Sequence, residues 1–147
     1  MILIELTGKP TPWSAPQQGL RGFYDKKSKD KEFVRWQIKS QYRGTPIQGF
    51  VAIDFKFFIP IPKNTSKAQE RQMLLGQILP TTPDTTNMQK LYEDCLQGIV
   101  IENDRYANRV ASMRVYSDKP GVMIMVRPWA EYLQGFCTIG EKESLTI

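Results

Sequence analysis

The residues of this chain best suited to chemistry lie in one segment, TTPDTTNMQKLYEDCLQGIVIENDR, residues 81–105. Asp84 directly follows a proline, and Asp104 follows a short apolar run. Carboxylates are ligands that hard cations such as Mg²⁺ accept. Lys90 lies between them and adds a positive charge. These residues suggest two alternatives: a metal site that cleaves phosphodiesters, or a helix cap followed by a polar turn.

The middle of this segment is predicted to be a helix that begins between residues 84 and 87, runs to residue 96 and is closed by Gly98. The spacing places four residues on one face of it: Asn87, Lys90, Leu91 and Asp94. Asp84 would lie at the N-terminal end of that face. There the helix dipole stabilises a carboxylate, and unpaired backbone N–H groups attract phosphate. Cation, carboxylate and phosphate could therefore meet at the start of this helix.

The same residues also have an ordinary structural explanation. PDTTN is a good helix N-cap, with Asp84 or a threonine hydroxyl accepting hydrogen bonds from first-turn amides, and ENDR is a typical polar turn. Lys90 could pair with Asp94 one turn later, a contact worth about 0.3–0.5 kcal/mol when exposed. Because caps and turns hold far more carboxylates than metal sites do, spacing alone favours the structural explanation.

Composition narrows the chemistry further, because the chain contains no histidine. Catalytic triads with an imidazole base, histidine-ligated zinc and histidine-dependent nuclease motifs are therefore excluded. A general base or metal ligand must be a carboxylate, a lysine, a tyrosine or bound water. The formal net charge is +5, which suits a polyanionic partner without establishing one.

The length of 147 residues predicts a single domain, residues 1–147. No apolar run approaches the roughly 18 residues that span a bilayer, and the N-terminus lacks the pattern of a signal peptide, so we expect a cytoplasmic protein. Cys95 and Cys137 form no CxxC pair. Both are expected to be reduced core thiols rather than parts of a disulfide framework or a structural zinc site.

The pattern along the rest of the chain predicts alternating strands and helices. A strand at 2–7 is followed by a loop at 8–29 whose aromatic residues, Trp13, Phe23 and Tyr24, are mixed with basic ones. Such a loop can stack on bases and pair with phosphates, or it can pack on the domain. An amphipathic helix is predicted from Asp30 to Tyr42, and a strand at 50–59.

The second half of the chain is predicted to close the fold. A helix is expected at 63–79, then the helix that ends at residue 96, a short strand at 99–101 and the turn ENDR. A strand at 108–116, a hairpin turn SDKPG, a strand at 122–126 and a helix at 128–136 follow. This order fits one α+β layer, a small mixed sheet with helices packed on it, better than a parallel βαβ array.

The segment PDTTNMQKLYEDCLQGIVIENDR resembles the signature of the RusA family of Holliday junction resolvases. That signature reads roughly Asp-x-Asp-Asn-x-x-Lys, an Asp near the helix end, a short apolar strand and Asp-Asp. The matching residues here are Asp84, Asn87, Lys90, Asp94 and Asp104. PGVMIMV also resembles the closing hairpin strand of the family. Resemblance in residues 1–80 is limited to the order of elements.

The resemblance implies a RusA-like fold and a Mg²⁺-dependent homodimer, with Mn²⁺ able to substitute, that resolves four-way DNA junctions by paired incisions. It implies Asp84, Asp104 and Asp94 as metal ligands, with Lys90 neutralising charge on the scissile phosphate or protonating the leaving oxygen. Asn87 would hold the metal-bound water or orient a carboxylate. Charge and position add candidate contacts to the DNA backbone: Arg21, Tyr24, Lys26, Lys27, Lys63 and Lys67.

Two positions depart from the family signature: Thr86 takes the place of its second aspartate, and Asn103 that of the first acid of its final pair. Thr86 matters more, because a hydroxyl brings no charge to a hard cation. Two alternatives to a junction-resolving endonuclease therefore stay open. One is a junction-binding DNA protein with weak or no cleavage, and the other is a small basic RNA-binding or assembly module.

Overall fold

The computed structural model describes residues 1–135, and the predicted placements of Phe136 and Cys137 lie outside this range. The elements in chain order are β1 (Ile2–Thr7), β2 (Gln17–Gly19), β3 (Gly22–Tyr24), α1 (Ser28–Gln41), β4 (Val51–Pro60), α2 (Lys67–Leu74), α3 (Thr85–Leu96), a short 3₁₀ turn (Asp104–Tyr106), β5 (Ala107–Ser117) and β6 (Gly121–Pro128). A further helical segment covers 129–135. The predicted α+β class is confirmed.

The four long strands form one mixed sheet in the order β1-β6-β4-β5. β6 runs antiparallel to both β1 and β4, whereas β5 runs parallel to β4. The prediction that SDKPG closes a hairpin is wrong, because β4 lies between β5 and β6 and the turn passes across its end. β4 contributes the most buried side chains of the four strands and takes one of the two central positions, where both of its edges are hydrogen-bonded.

One face of the sheet packs against α1 and α3. Alternate residues of β4 point toward these helices, and Phe55 and Phe57 are almost fully buried. α3 contributes Met88, Leu91 and Leu96, all fully buried, while the Tyr92 ring lies 5.6 Å from that of Phe57. Each such buried side chain stabilises the fold by about 1.5–3 kcal/mol. The core therefore fixes the rotation of α3, and with it the direction of every polar side chain on that helix.

Several predicted boundaries are corrected by the structure. The loop at 8–29 contains the β2–β3 hairpin and the start of α1. The helix predicted at 63–79 is only Lys67–Leu74, since Gly76 adopts a positive φ of 75° that ends it. The strand predicted at 99–101 is a turn: the N–H groups of Ile99 and Val100 donate back to the Leu96 carbonyl oxygen, and Ile101 forms only isolated bridges.

Cys95 is buried and free, and burial raises the pKa of its thiol to about 11. This agrees with the predicted reduced core thiol. Within residues 1–135, no helix is both long and apolar enough to cross a membrane.

Candidate active site

Asp84 is the N-cap of α3. Its Oδ1 accepts a hydrogen bond from the Thr86 backbone N–H at 2.8 Å, as the cap prediction requires. Arg114 of β5 fixes the preceding residue, because its Nη1 donates to the Pro83 carbonyl oxygen at 2.8 Å. The start of α3 is therefore held against the sheet, and within the described residues the Oδ2 atom of Asp84 makes no hydrogen bond.

The four residues predicted to share one face of α3 lie in different environments in the structure. Leu91 is fully buried in the core, whereas Asn87 and Lys90 are exposed. The Lys90 ammonium lies over the Trp13 ring, 3.5 Å from its centroid. Asp94 turns toward α1, where its Oδ2 lies 3.8 Å from the Lys31 ammonium. In the described part of the chain, Lys90 and Asp94 form no ion pair.

The structure does not bring Asp84 and Asp94 together. They are ten residues apart on one helix, which at ~1.5 Å per residue separates them by about 15 Å along its axis. Mg²⁺ binds its oxygen ligands at about 2.0–2.1 Å. One cation cannot therefore be held by both, and the predicted set of Asp84, Asp104 and Asp94 cannot surround a single ion.

Glu93 is a carboxylate near the predicted site that the signature does not include. It is half-buried, and its pKa is raised to about 7, first by burial and then by the negative charges of Asp104 and Asp94. A hydrogen bond with Gln89 opposes this rise, and the Ser112 hydroxyl donates to Gln89 Oε1 at 2.6 Å. The structure therefore places Asp104 close enough to α3 for the two carboxylates to interact.

A sequence signal for Glu93 does exist. Thr86, Lys90 and Glu93 are spaced by four and three residues, which puts them on one face of a helix. The family signature directs attention to Asp94 instead, one position further along.

Asp104 opens the 3₁₀ turn before β5, and its side chain is exposed. Asn103 caps this turn, since its Oδ1 accepts from the Arg105 backbone N–H at 3.0 Å. The asparagine at the family's acidic position thus has a structural role here. It holds the turn that presents Asp104 to solvent.

Within residues 1–135, no three His, Cys, Asp or Glu side chains converge on a point that could hold a metal ion. The available donors are still hard carboxylate oxygens. Mg²⁺ commonly takes one or two protein carboxylates and completes its shell with water and substrate phosphate. The donor set therefore fits a sparsely ligated Mg²⁺ and does not fit a closed, all-protein cage.

A cleft of about 550 Å³ lies beside the start of α3, and its lining includes Lys9, Lys63, Thr82 and Pro83. Two ammonium groups next to a helix N-terminus are a suitable environment for phosphate. Lys63 was among the predicted DNA contacts, whereas the sequence reasoning missed Lys9. No periodicity marks Lys9, because it lies in the irregular segment after β1.

The other predicted DNA contacts lie on separate elements. Arg21 is exposed in the turn between β2 and β3, and Lys26 is exposed before α1. Lys27 occupies the N-cap position of α1, and its backbone N–H donates to Asp25 Oδ1 at 2.9 Å. Tyr24 ends β3, and the exposed Lys67 begins α2. Of the predicted contacts, Lys63 lines the cleft beside the start of α3.

Comparison with known proteins shows that the similarity of this chain to a protein family extends beyond the α3 segment. The family model described as Endodeoxyribonuclease RusA matches residues 5–127, from β1 to the end of β6. The chain belongs to the RusA family. It is also 29% identical over 135 residues to the "Uncharacterized protein YqaN" of Bacillus subtilis (strain 168), an alignment that covers 86% of this chain and 95% of that protein. No solved structure matches the chain.

Membership in the RusA family confirms the resemblance drawn from the α3 signature. It places this chain in a family of endodeoxyribonucleases, and the match includes residues 5–80, where the sequence pattern gave only the order of elements.

Proposed function

We propose that this protein is a Mg²⁺-dependent, structure-specific endonuclease that resolves four-way DNA junctions by paired phosphodiester hydrolysis. The observation that carries the proposal is the combination at α3 of a capping carboxylate, Asp84, and an exposed lysine, Lys90, with Asp104 acting electrostatically on the same helix. Family membership supplies the reaction class. The two lysines of the neighbouring cleft supply positive charge for a DNA backbone.

Asp84 and Asp104 are each proposed to bind a cation. They are not proposed to share one directly, because Asp104 acts on Glu93, nine residues and about 14 Å along the helix from Asp84. A divalent cation held by these carboxylates would neutralise phosphate charge and activate water. Lys90 directs a full positive charge toward the scissile phosphate and can protonate the leaving oxygen. Asn87, whose side chain is exposed, is proposed to orient a carboxylate or a water molecule, and Lys9 and Lys63 are proposed to bind flanking phosphates.

Thr86 favours a second candidate, a junction-binding protein with weak cleavage. It occupies the first turn of α3, at the family's acidic position, and brings no charge there. The absence of a three-carboxylate cluster in residues 1–135 points the same way. Glu93 is the nearest additional carboxylate on that face of the helix.

Paired incisions call for two matched sites, and the face of the sheet opposite α1 and α3 is the surface proposed to join two copies. The Tyr132 ring covers one end of this face, where it lies against Arg109 and Arg127. Strand register aligns its side chains in rows, such as Leu3, Met125, Asp54 and Ala111 across β1, β6, β4 and β5. Leu3 and Met113 are 47% and 53% exposed. A cleft of about 600 Å³ runs between the methionines Met113, Met123 and Met125.

Two properties of this face favour a second copy of the chain over DNA as its partner: a carboxylate, Asp54, lies among its positive charges, and its area is close to that of a protein interface. Asp54 pairs with both Arg109 and Arg127, each at 3.0 Å, and so offsets one of their two positive charges. Four strands about 4.8 Å apart, with β4 about 30 Å long, give roughly 600 Å² in flat projection. A standard interface buries about 800 Å² on each partner. The side chains that project from the sheet add surface to the flat area and bring it closer to this value. Dimerisation here leaves α3 of each copy accessible, because α3 packs on the opposite face.

The proposal is tested by incubating the full chain with a synthetic four-way junction and a linear duplex of the same sequence. Mg²⁺, Mn²⁺ and EDTA are compared. We expect symmetric, metal-dependent nicks in the junction and none in the linear duplex. Tight junction binding without nicks supports the second candidate. Equal binding to both DNAs without nicks rules out both, and leaves the RNA-binding or assembly alternative.

A further inference from the structure

The segment between β1 and the β2–β3 hairpin crosses α3 and is tied to it by two hydrogen bonds. The Trp13 backbone N–H donates to the Asn87 carbonyl oxygen at 2.9 Å, and the Thr11 N–H donates to the Tyr92 hydroxyl at 3.1 Å. Trp13 is partly buried and packs against the core. Its backbone and ring are therefore fixed relative to α3.

This arrangement places the Trp13 ring under Lys90. The ammonium lies 3.5 Å from the ring centroid, a close cation–π contact, while the lysine side chain is exposed. Lysine carries its charge on a flexible four-carbon stem and otherwise samples many rotamers. Within residues 1–135 no carboxylate pairs with Lys90. The ring is thus the contact that restricts where the ammonium lies.

We propose that Trp13 is a positioning residue that holds the Lys90 ammonium where the scissile phosphate binds. The inference rests on the proposed function, in which Lys90 acts on that phosphate. A carboxylate partner would also fix the lysine, but it would cancel the positive charge that the phosphate requires. An aromatic face attracts the ammonium through its quadrupole and leaves the full charge available. Substituting Trp13 therefore disorders Lys90 without removing its charge.

The kinetic test compares Trp13→Phe and Trp13→Leu in junction cleavage. Phenylalanine keeps an aromatic face, so kcat should stay within about 3-fold, whereas leucine should lower kcat by about 5- to 30-fold with little change in KM. Trp36→Leu, at an exposed tryptophan of α1 that stacks on Phe33, is the matched control and should leave kcat unchanged. In a Lys90→Met background, Trp13→Leu should have no further effect on kcat.

The variants Lys90→Met and Trp13→Leu separate the role of Lys90 in cleavage from the role of Trp13 in positioning it. If Lys90→Met cleaves like the wild type, the role of Lys90 is wrong. If Lys90→Met is inactive but Trp13→Leu loses only stability in urea unfolding, Trp13 is a packing residue and the inference is overturned.

A measurement that needs no cleavage completes the test. The Trp13 ring current should shift the Lys90 ε-CH₂ proton resonances upfield in NMR spectra of the wild type. This shift should disappear in Trp13→Leu and persist in Trp36→Leu. Unshifted Lys90 resonances in the wild type overturn the inference whether or not the protein cuts DNA.

Discussion

The Asp84 carboxylate and the Thr86 backbone are joined by a 2.8 Å hydrogen bond that closes the first turn of α3. The bond uses Oδ1 only, so capping and cation binding do not compete for the same oxygen atom. The two explanations of this segment that the sequence left as alternatives are therefore compatible in one residue.

Replacing Asp84 separates these two roles. Asparagine caps helices about as well as aspartate, so Asp84→Asn should change the free energy of unfolding by less than about 1 kcal/mol. The cleavage rate should fall by at least about 100-fold, because losing even a residue that only hydrogen-bonds to a metal ligand lowers metal affinity or activity by about 10- to 100-fold. Asp84→Ala should lose both functions, with a stability loss of about 0.5–2 kcal/mol. Urea unfolding and junction cleavage measure the two effects, and normal cleavage by Asp84→Asn would exclude it as a ligand.

Restoring an acid at position 86 tests whether this chain is deficient at a ligand position. Thr86→Asp should raise cleavage in Mg²⁺, and a first-turn carboxylate should add about 0.3–1 kcal/mol of stability. Thr85→Asp adds the same charge one residue away and controls for the helix dipole. A gain in cleavage that the two variants share would mean that charge at the helix start, rather than a ligand at position 86, is responsible.

The titration of Glu93 predicts a pH dependence of stability. Its pKa is raised from 4.5 to about 7 in the folded state, so between these values the folded chain binds more protons than the unfolded one. The unfolding free energy should therefore decrease as pH rises from about 4.5 to 7 and then level off. Glu93→Gln removes this penalty, and at pH 8 it should be more stable than the wild type by about 1–2 kcal/mol, a value reduced for partial exposure.

Urea unfolding from pH 4 to 8 checks this prediction. Glu32→Gln, at an exposed acid on α1, is the control and should follow the wild-type profile. Parallel profiles for Glu93→Gln and the wild type would show that burial and the charges of Asp104 and Asp94 do not raise the pKa of Glu93.

The proposed dimer interface, on the face of the sheet opposite α1 and α3, is tested by Met113→Lys. A lysine among the methionines places unpaired charge in the proposed interface, so this variant should sediment as a monomer where the wild type is a dimer. Phe33→Lys, at a similarly exposed apolar residue of α1, should leave the dimer intact. A monomeric wild type at about 10 μM, well above the dissociation constants of typical stable dimers, or a dimer insensitive to Met113→Lys, would exclude this face.

Local pattern was sufficient for much of the fold. The apolar spacing of α3 and its cap predicted a helix that begins between residues 84 and 87 and ends at 96, within two residues of Thr85–Leu96, and the alternation of β4 predicted a strand. Pattern did not predict strand neighbours, because a period of two marks a strand without saying which strand lies beside it. The position of β4 between β5 and β6 therefore came only from the structure.

For the candidate active site, too, local pattern predicted single residues but not the contacts between distant segments. Asp84 and Lys90 were predictable because they lie on one helix and match a signature. The contact of Lys90 with Trp13 joins residues far apart in the sequence, and the cleft position of Lys9 depends on where β1 ends in space. The turn of Asp94 toward Lys31 follows from the packing of α1 on α3, which the helical spacing of a single segment does not contain.

The proposed reaction is metal-dependent cutting of four-way junctions, supported by acids of α3 and of the turn that follows it. It is tested most directly by comparing Asp104→Asn with Asp118→Asn, an exposed acid in the turn between β5 and β6, on a synthetic junction in Mg²⁺. We predict that Asp104→Asn abolishes the paired nicks while junction affinity is kept or increased, and that Asp118→Asn cleaves like the wild type. Undiminished cleavage by Asp104→Asn would show that Asp104 takes no part in the cleavage and would contradict the proposed site.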